Sequence, residues 1–506
     1  MSLTNIYKGN SKHIFIILSL FVIAIITRII YVQLNYPVTL DSLSYFLISN
    51  DLVGTELLPD NFNKPNLGWP IFLSIIFQIS RFENIIEYMN LQKLISIVFS
   101  SLSIIPMFFF IRKFFAIKIA MIGTLVFIFS HSIIENSILG TNDSITLFLI
   151  ITFFCLNFST NQKNQIISFL IIGIASIFRY ESILLFIPAI IKFIIENKSM
   201  NDFKKLLILG IFLAIIPIAL MMLWRISIGI PEGFISNFLY KPEILYDEKT
   251  ISLEPKSTSF YFERGVINFI KFSGIILLPF YFILLPYSLI QIIKKNIKFL
   301  NLLMFGLFIS LSGFYAFARG FEDIKYLFPI LPIFIIGTLF LVEKIFEIVK
   351  KPKLVLVLFS IAIIFSSLIF IEFNKNDSEY DNEVLEISKK IINLPGKVND
   401  YGKESHIIEG LQYSNYNFPI ENAFMNRSYK VVNIKMNTID EILYESNVNG
   451  IKFLIITEKM TIDNELLNQI YHGKNPQFTK IYDSTEVYSK FNLKIFEIID
   501  LEQFNG

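Results

Sequence analysis

The sequence predicts an α-helical polytopic membrane protein with a C-terminal extracytoplasmic α/β domain, and three observations lead to this fold class. Of the 506 residues, 54% are hydrophobic and 54 are phenylalanine, whereas a soluble domain is about 45–50% apolar. Apolar runs of about 18 residues or more recur along the chain, and each is long enough to cross a bilayer. The runs are continuous rather than alternating, which excludes the pattern of a transmembrane β-barrel.

Eleven segments are candidate transmembrane helices. The first, 13–34, is long and has no small-residue cleavage site, so we interpret it as a span rather than a cleaved signal peptide. The others are 88–111, 116–133, 143–158, 165–179, 182–195, 206–224, 266–293, 299–317, 326–347 and 353–372. Residues 67–80 are short for a span and contain Gly68 and Pro70, and the charges of the loops decide against counting them.

The loops that join these segments differ in charge, and this difference predicts the topology. With 67–80 at the interface, the basic loops all fall on one side: "KGNSKH", "RKFFAIK", "NQKNQ", "ENKSMNDFKK", "KKNIK" and "VEKIFEIVKKPK". Excess Lys and Arg marks the cytoplasmic side. The N-terminus is therefore expected in the cytoplasm, and the loop 35–87 and residues 373–506 are expected outside.

The C-terminal part differs from the rest in charge and in pattern. Residues 373–506 carry 14 Lys and Arg against 20 Asp and Glu, and the remainder carries 30 against 22. Alternating apolar segments ("YKVVNIK", "GIKFLIITE", "NLKIFEII") mix with helical patterns such as "TIDEILYES". We therefore predict two domains, a transmembrane domain over 1–372 and a soluble α/β domain over 373–506.

Cysteine and histidine give no sign of a metal centre. The single cysteine, Cys155, lies within an apolar run and cannot form an intrachain disulfide, and the four histidines show no ligand spacing. No cofactor is expected. Asp41, Glu135 and Asp143 nevertheless offer oxygen ligands of the kind that a divalent cation prefers, so a bound cation stays an alternative.

An acidic residue opens the first outer loop, in "YPVTLDSLSYFLISNDL". Residues 41–53 have the pattern of an interfacial amphipathic helix, in which Asp41 and Tyr45 share a face. An Asp at a helix start also caps free backbone N–H groups, which is the structural alternative for Asp41. Further along the loop, Lys64 precedes Pro65, and a lone Lys there commonly extends to lipid headgroups.

Three further charged stretches lie between predicted spans on the outer side. "LGTNDSITLF" places Asp143 at a helix start, shortly after Glu135, where a helix cap is the simple interpretation. "IASIFRYESILLF" interrupts an apolar stretch with an Arg and a Glu. Either the Arg and the Glu pair with each other, or the Arg presents its guanidinium to a phosphate. "FARGFEDIKYLFPILP" clusters acids and cations before a proline-kinked helix, which favours a cavity at the outer leaflet.

Acids and cations on one side of an apolar bundle suit sugar transfer from an anionic, lipid-borne donor. A carboxylate deprotonates an acceptor hydroxyl. Cations stabilise the charge that develops on a departing phosphate. The apolar bundle would hold the lipid tail, and the loop 225–265 is a candidate lid over the acceptor.

These motifs, in this order, resemble the GT-C superfamily of polyprenyl-phosphate-sugar-dependent glycosyltransferases. The motifs are "LDSLSY", "NKPNLGWP", "TNDSITLF", "FRYES" and "KYLFPILP". The branch most similar is that of the protein O-mannosyltransferases and the lipid A aminoarabinose transferases. The resemblance covers about residues 13–350.

The resemblance implies an inverting reaction and a role for each matched residue. Its partners would be a polyprenyl-phosphate-linked sugar, a protein, lipid or glycan acceptor and membrane lipid, with no nucleic acid. The catalytic acids would be Asp41 and Asp143, and Tyr45 would position the acceptor. Glu135 is added to the acceptor-positioning residues from its place on the same aqueous side as Asp143. The donor phosphate and lipid would contact Lys64, Arg179, Tyr180, Lys325 and Tyr326, and the charged stretch that contains Lys325 adds Arg319 to this set.

Three departures from the family pattern leave the sugar and the acceptor open. Ser42 follows Asp41 where many relatives have a second acid, Asn66 follows Pro65 where they have a second proline, and Lys325 stands where Arg is common. The Trp-Trp-Asp signature of oligosaccharyltransferases is absent.

Two other classes of protein remain as alternatives. A transporter would carry charges near span midpoints and internal repeats, whereas the charges here lie at span ends. A non-catalytic scaffold or receptor would not need its outer charged residues to converge on one cavity.

Overall fold

The computed structural model describes most of the helical region and part of the C-terminal region. The described residues are 11–34, 38, 40–54, 66–80, 82, 85–227, 258–277, 297–349, 352–373, 383, 386–387, 390–391, 394, 397–400, 431–432, 438–462, 464–487 and 492–499. Lys64, most of the candidate lid and the end of the predicted span 266–293 lie outside them.

Fifteen α-helices occupy the described residues up to Phe373. They are α1 Ser11–Tyr31, α2 Leu40–Gly54, α3 Gly68–Ile79, α4 Ile85–Leu102, α5 Ile104–Ile111, α6 Ile117–Ile128, α7 His131–Leu139, α8 Asp143–Asn157, α9 Gln162–Phe178, α10 Phe186–Asn197, α11 Phe203–Ser227, α12 Thr258–Ile276, α13 Ile297–Ala318, α14 Leu331–Ile348 and α15 Pro352–Phe373. Two 3-10 helices, Tyr180–Leu185 and Ile324–Ile330, lead into α10 and α14.

Helix lies at each of the eleven predicted spans, within the described residues. Five helical segments are long and apolar enough to cross a membrane, or six if α6 and α7, bent by 50° at their junction, form one broken span. Four more apolar helices, among them α3, α8 and α9, are shorter. The chain is therefore a multi-pass membrane protein, and the count of eleven spans stays a prediction.

The described residues belong to two compact units. The first comprises Met1–Leu34, Leu58–Phe72 and Leu91–Asn374, and the second comprises Asn35–Leu57, Leu73–Asn90 and Lys375–Gly506. The second unit thus takes in two stretches of the predicted outer loop besides the C-terminal region. The assignment of 373–506 as a separate domain stays a prediction.

Aromatic packing fills the core of the first unit. Phe110 stacks on Phe154 with ring centroids 5.3 Å apart, and Phe154 meets Phe305 edge-on at 5.7 Å. Such pairs add to the burial of a large apolar area. The high phenylalanine content therefore serves helix packing in the centre of the bundle.

Helix α2 forms where the sequence predicts it, but it is not amphipathic. Asp41 is exposed in the first turn, and Tyr45 is half-buried one turn later. The polar residues Ser49, Asn50 and Asp51, expected on a solvated face, are at most 7% exposed. The prediction of a polar face was wrong because the pattern of polar residues does not reveal which surfaces become covered.

The C-terminal region contains the expected mixed α/β architecture. Its elements are β1 Lys397–Asp400, β2 Val431–Val432, α16 Ile439–Asn449, β3 Ile451–Thr457, α17 Glu458–Ile462, α18 Glu465–Tyr471, β4 Phe478–Asp483 and β5 Leu493–Ile498. The strand order is β2-β1-β3-β5-β4, with β1 parallel to β2 and β3, and β5 antiparallel to β3 and β4. The alternating segments of the sequence supply β2, β3 and β5.

Candidate active site

Asp143 opens α8 directly after a tight turn. Gly140, with φ of 82°, ends α7, and Asn142 precedes the helix without capping it through its side chain. The Asp143 side chain does not cap the helix either. Its Oδ2 accepts a hydrogen bond from Asn136 Nδ2 at 3.1 Å, and its Oδ1 pairs with Arg179. Asp143 is 4% exposed, so this carboxylate is a buried member of a network.

Arg179 lies where α9 ends and the 3-10 helix Tyr180–Leu185 begins. Its guanidinium contacts Asp143 through Nη1 and Glu181 Oε1 through Nη2, the latter at 3.3 Å. The same guanidinium lies 5.6 Å from the ring centroid of Tyr326. Two carboxylates and a ring face therefore hold the planar fork of Arg179 in one orientation.

Lys325 lies on the other 3-10 helix, Ile324–Ile330, and belongs to the same group of charged side chains. Asp323 directly precedes this helix, and its Oδ1 accepts a hydrogen bond from the Lys325 backbone N–H at 2.9 Å. Its Oδ2 lies 2.9 Å from Lys325 Nζ. The Lys325 ammonium also lies 5.9 Å from the Tyr326 ring centroid, so Tyr326 contacts both cations.

A small open cavity joins these groups. Its volume is about 170 Å³, including solvent at its mouth, and it is lined by Asp143, Thr146, Leu147, Ile150, Arg179, Lys325, Phe328 and Pro329. The α8 residues in this lining recur at helical spacing and form one face. The cavity thus combines charged groups with apolar walls, a lining suited to an anionic group with a hydrocarbon tail.

The charge of this cluster is unbalanced. Its carboxylates are Asp143, Glu181 and Asp323, and its cations are Arg179 and Lys325. Among the described residues that pair in this cluster, the formal sum is one negative charge. Among the described residues no three His, Cys, Asp or Glu side chains are grouped to hold a metal ion.

The remaining predicted site residues of the first unit lie around this cluster. Tyr180 follows Arg179, and burial raises the pKa of its phenol to about 12, so the hydroxyl stays protonated at neutral pH. Arg319 does not line the cavity and instead packs on the rings of Tyr315 and Phe321, at 5.5 and 5.6 Å. Glu135 is half-buried on α7.

Asn136, which the sequence reasoning did not single out, is the α7 residue that contacts Asp143. It also accepts a hydrogen bond from Thr141 Oγ1 at 2.9 Å. Glu181 was recognised only as a partner for Arg179. Nothing in the spacing of Asn136 and Asp143 identifies their contact, because the turn at Gly140 separates them.

Asp41 and Tyr45 belong to the second unit. Asp41 is exposed in the first turn of α2. Lys64 lies outside the described residues. The residues that the structure brings together in the first unit are therefore Asp143, Arg179, Lys325 and Tyr326.

Comparison with known proteins supports a single fold family. A family of dolichyl-phosphate-mannose-protein mannosyltransferases matches residues 69–224. The apo crystal structure of ArnT from Cupriavidus metallidurans superposes with a TM-score of 0.59 at 11% identity, covering 95% of this chain and 97% of that chain. The same protein bound to undecaprenyl phosphate gives 0.58 at 12% identity, with the same coverage.

The fold likeness extends to an oligosaccharyltransferase. AglB from Archaeoglobus fulgidus, in complex with an inhibitory peptide and a dolichol-phosphate, gives a TM-score of 0.53 at 10% identity, covering 95% of this chain and 74% of that chain. No curated protein matches this chain in sequence. The likeness at these identities shows the fold, which spans both the helical and the C-terminal regions.

Proposed function

This chain has the GT-C fold, and we propose that it is a membrane glycosyltransferase that uses a polyprenyl phosphate sugar. In this proposal the sugar moves to an acceptor hydroxyl on the extracytoplasmic face, with inversion at the anomeric carbon. The N-terminus lies in the cytoplasm and the C-terminal region outside. No metal ion is required.

The cavity between α8 and the second 3-10 helix is the observation that carries this proposal. Arg179 and Lys325 offer positive charge at one cavity, and Leu147, Ile150 and Phe328 give it apolar walls. A phosphate attached to a polyprenyl chain has the matching properties, an anionic head and a hydrocarbon tail. The structural neighbours bound to undecaprenyl phosphate and to a dolichol-phosphate support the same choice of donor.

Each group of the cluster has a role in donor binding under this proposal. Arg179 donates hydrogen bonds to the phosphate and stabilises the charge that develops when it leaves. Asp143 and Glu181 orient Arg179, because each accepts from a different nitrogen of the guanidinium. Lys325, Tyr180 and Tyr326 surround the same phosphate, and Lys64 and Arg319 are the further cations.

In the proposed transfer step, a residue of α2 acts on the acceptor. The acceptor oxygen attacks the anomeric carbon while the bond from that carbon to the phosphate oxygen breaks. Asp41 takes the acceptor proton, and the polyprenyl phosphate departs with the bonding electrons. Exposure of Asp41 supports its choice as base over Asp143, which is 4% exposed. Tyr45 and Glu135 position the acceptor.

Replacement of Asp41 by Asn tests the function and the base together. Purified protein is assayed for sugar transfer from a panel of polyprenyl-phosphate sugars. We expect turnover by the wild type and a loss of about 100-fold or more in kcat for Asp41→Asn, since a general base contributes about 10² to 10⁴. Donor KM should change little, because Asp41 is not assigned to the donor.

The matched control is Asp202→Asn, which changes an exposed carboxylate that pairs only loosely with Lys205, at 3.5 Å. This variant should keep wild-type turnover. Full activity in Asp41→Asn would refute the assignment of the base. A wild type that is inactive with every donor and acceptor offered would instead favour the scaffold or transporter class.

A further inference from the structure

A short stretch of the outer loop, Asn66–Trp69, contacts the turns that carry Asp143 and Arg179. Asn66 Oδ1 accepts a hydrogen bond from the backbone N–H of Tyr180 at 3.2 Å. Trp69 Nε1 donates to the carbonyl oxygen of Gly140 at 3.1 Å. Four consecutive residues thus reach the α7–α8 turn and the end of α9.

The stretch Asn66–Trp69 is also closely packed. Leu67 and Trp69 are both 0% exposed. A Cβ added to Gly68 would lie 2.9 Å from the backbone carbon and oxygen of Ile177. No side chain fits there, so glycine is required for the stretch to lie against the last turn of α9.

Other contacts also hold the two turns. Gln92 Nε2 donates to the same Gly140 carbonyl at 2.8 Å. Asn142 Nδ2 donates to the Phe178 carbonyl at 2.8 Å and joins the turns directly. The Gly140 carbonyl therefore receives two donors, one from α4 and one from Trp69, and both are buried.

We propose that Asn66–Trp69 is a clamp that fixes the Asp143 turn relative to the Arg179 turn, which makes Asn66 and Trp69 positioning residues for sugar transfer. Neither side chain lines the cavity. Each acts through the backbone of a turn, one at Gly140 and the other at Tyr180. The catalytic consequence rests on the proposed function, whereas the clamp itself rests on the contacts alone.

Catalysis by oriented groups explains why such a clamp matters. A misplacement of about 1 Å at a site can reduce the rate about 100-fold, even when its cause lies away from the reacting atoms. Loss of one clamp contact leaves Asp143 and Arg179 paired but allows their turns to shift. The donor would still bind, because its charges and apolar walls persist, and the reaction itself would slow.

The test removes each clamp contact with the least change in shape. Trp69→Phe keeps an aromatic ring beside Phe72, whose centroid lies 5.8 Å away, and removes the N–H. Asn66→Leu removes the acceptor for Tyr180, and Asn66→Asp keeps it. Trp224→Phe is the control, since Trp224 is the other tryptophan of the chain and lies at the end of α11.

Hydrogen exchange followed by mass spectrometry reports on the clamp without any assay of activity. We expect faster exchange over 139–146 in Trp69→Phe and over 178–184 in Asn66→Leu. Asn66→Asp and Trp224→Phe should exchange like the wild type. Unchanged exchange in both Trp69→Phe and Asn66→Leu would overturn the clamp, whatever the activity of the protein.

Steady-state kinetics then test the positioning role. We expect kcat to fall about tenfold or more in Trp69→Phe and Asn66→Leu, with donor KM changed less than about twofold, and Asn66→Asp to restore most of kcat. Faster exchange with an unchanged kcat would overturn the positioning role. An inactive wild type would overturn the proposed function, and the clamp would then be judged by exchange alone.

Discussion

At the scale of single residues, the environment of Arg179 governs the site. The side chain of Arg179 is 10% exposed, and its guanidinium is shared between the side chains of Asp143 and Glu181, which are 3% and 14% exposed. Solvent screens such buried pairs far less than surface pairs. Removal of one member leaves its partner as a buried charge, so the cost depends on which member is removed.

This asymmetry predicts that Arg179→Gln is more destabilising than Asp143→Asn. The first change leaves Asp143 buried without its cation, at a cost of about 3 kcal/mol or more in the free energy of unfolding. The second leaves Arg179 paired with Glu181 and should cost about 1 kcal/mol. Thermal melting of the two purified variants in one detergent shows which of them is less stable. Equal melting temperatures would mean that the pair is solvated in the membrane protein.

The surplus of negative charge at the cavity leads to a second prediction. Arg179 and Lys325 both pair with carboxylates, so a bound phosphate would be stabilised by a further cation, and Lys64 is the one changed here. We expect Lys64→Gln to raise donor KM about tenfold. Turnover by the wild type should persist in EDTA.

Lys205→Gln, at an exposed surface position, is the control for loss of a lysine charge. Loss of activity in EDTA that returns with Mg²⁺ or Mn²⁺ would contradict this prediction. Such a result would assign the missing positive charge to a divalent cation bound with the donor.

At the scale of elements, close contact between α9 and α11 supports the end of α9. A Cβ added to Gly173 would lie 3.0 Å from the backbone Cα of Ala214, closer than ordinary van der Waals contact. Small residues that let helix backbones approach are a general feature of packing in membranes. Gly173 is less than two turns from Arg179, so the close packing at Gly173 helps to fix the position of the Arg179 side chain.

Gly173→Ala should consequently force α9 and α11 apart. We expect a loss of about 1–3 kcal/mol in stability from overpacking, with a lower melting temperature. Gly306→Ala is the matched control, because its Cβ would meet only the side chain of Ile333, at 3.5 Å. A variant Gly173→Ala that melts no lower than Gly306→Ala would show that this helix pair tolerates separation.

At the scale of the whole molecule, α8 carries a polar network at each end of the bundle. Asp143 begins the helix, and Asn157 ends it about 21 Å away. At the Asn157 end, Lys192 Nζ donates to the Asn157 carbonyl and to Glu196, each at 2.7 Å. This second network belongs to the side that the basic loops predict to be cytoplasmic.

Cysteine labelling tests the orientation that follows. In a Cys155→Ser background, we expect Lys474→Cys, in the exposed turn after α18, to react with a membrane-impermeant maleimide in intact cells. Asp202→Cys, in the loop before α11, should react only after the membrane is opened. The reverse pattern would overturn the predicted topology and the extracytoplasmic site. The Lys474→Cys and Asp202→Cys proteins need to keep wild-type expression for the comparison to hold.

Several features of this protein follow from its sequence alone. The length and continuity of the apolar runs identify helices at the predicted spans, because burial in a bilayer depends on local composition. The charged residues Asp143, Arg179 and Lys325 could be placed at helix ends for the same reason. The alternating segments identify β2, β3 and β5 in the C-terminal region.

Other features depend on contacts between residues that are far apart in the chain, and only the tertiary structure decided them. Arg179 pairs with Asp143 across 36 positions, and Trp69 reaches Gly140 across 71. The burial of Asn50 and Asp51 on α2 likewise contradicts the exposure that their spacing predicts. Local periodicity sets which residues form a helix. Packing of helices against one another sets which polar groups meet, and a single sequence does not specify that packing in any local pattern.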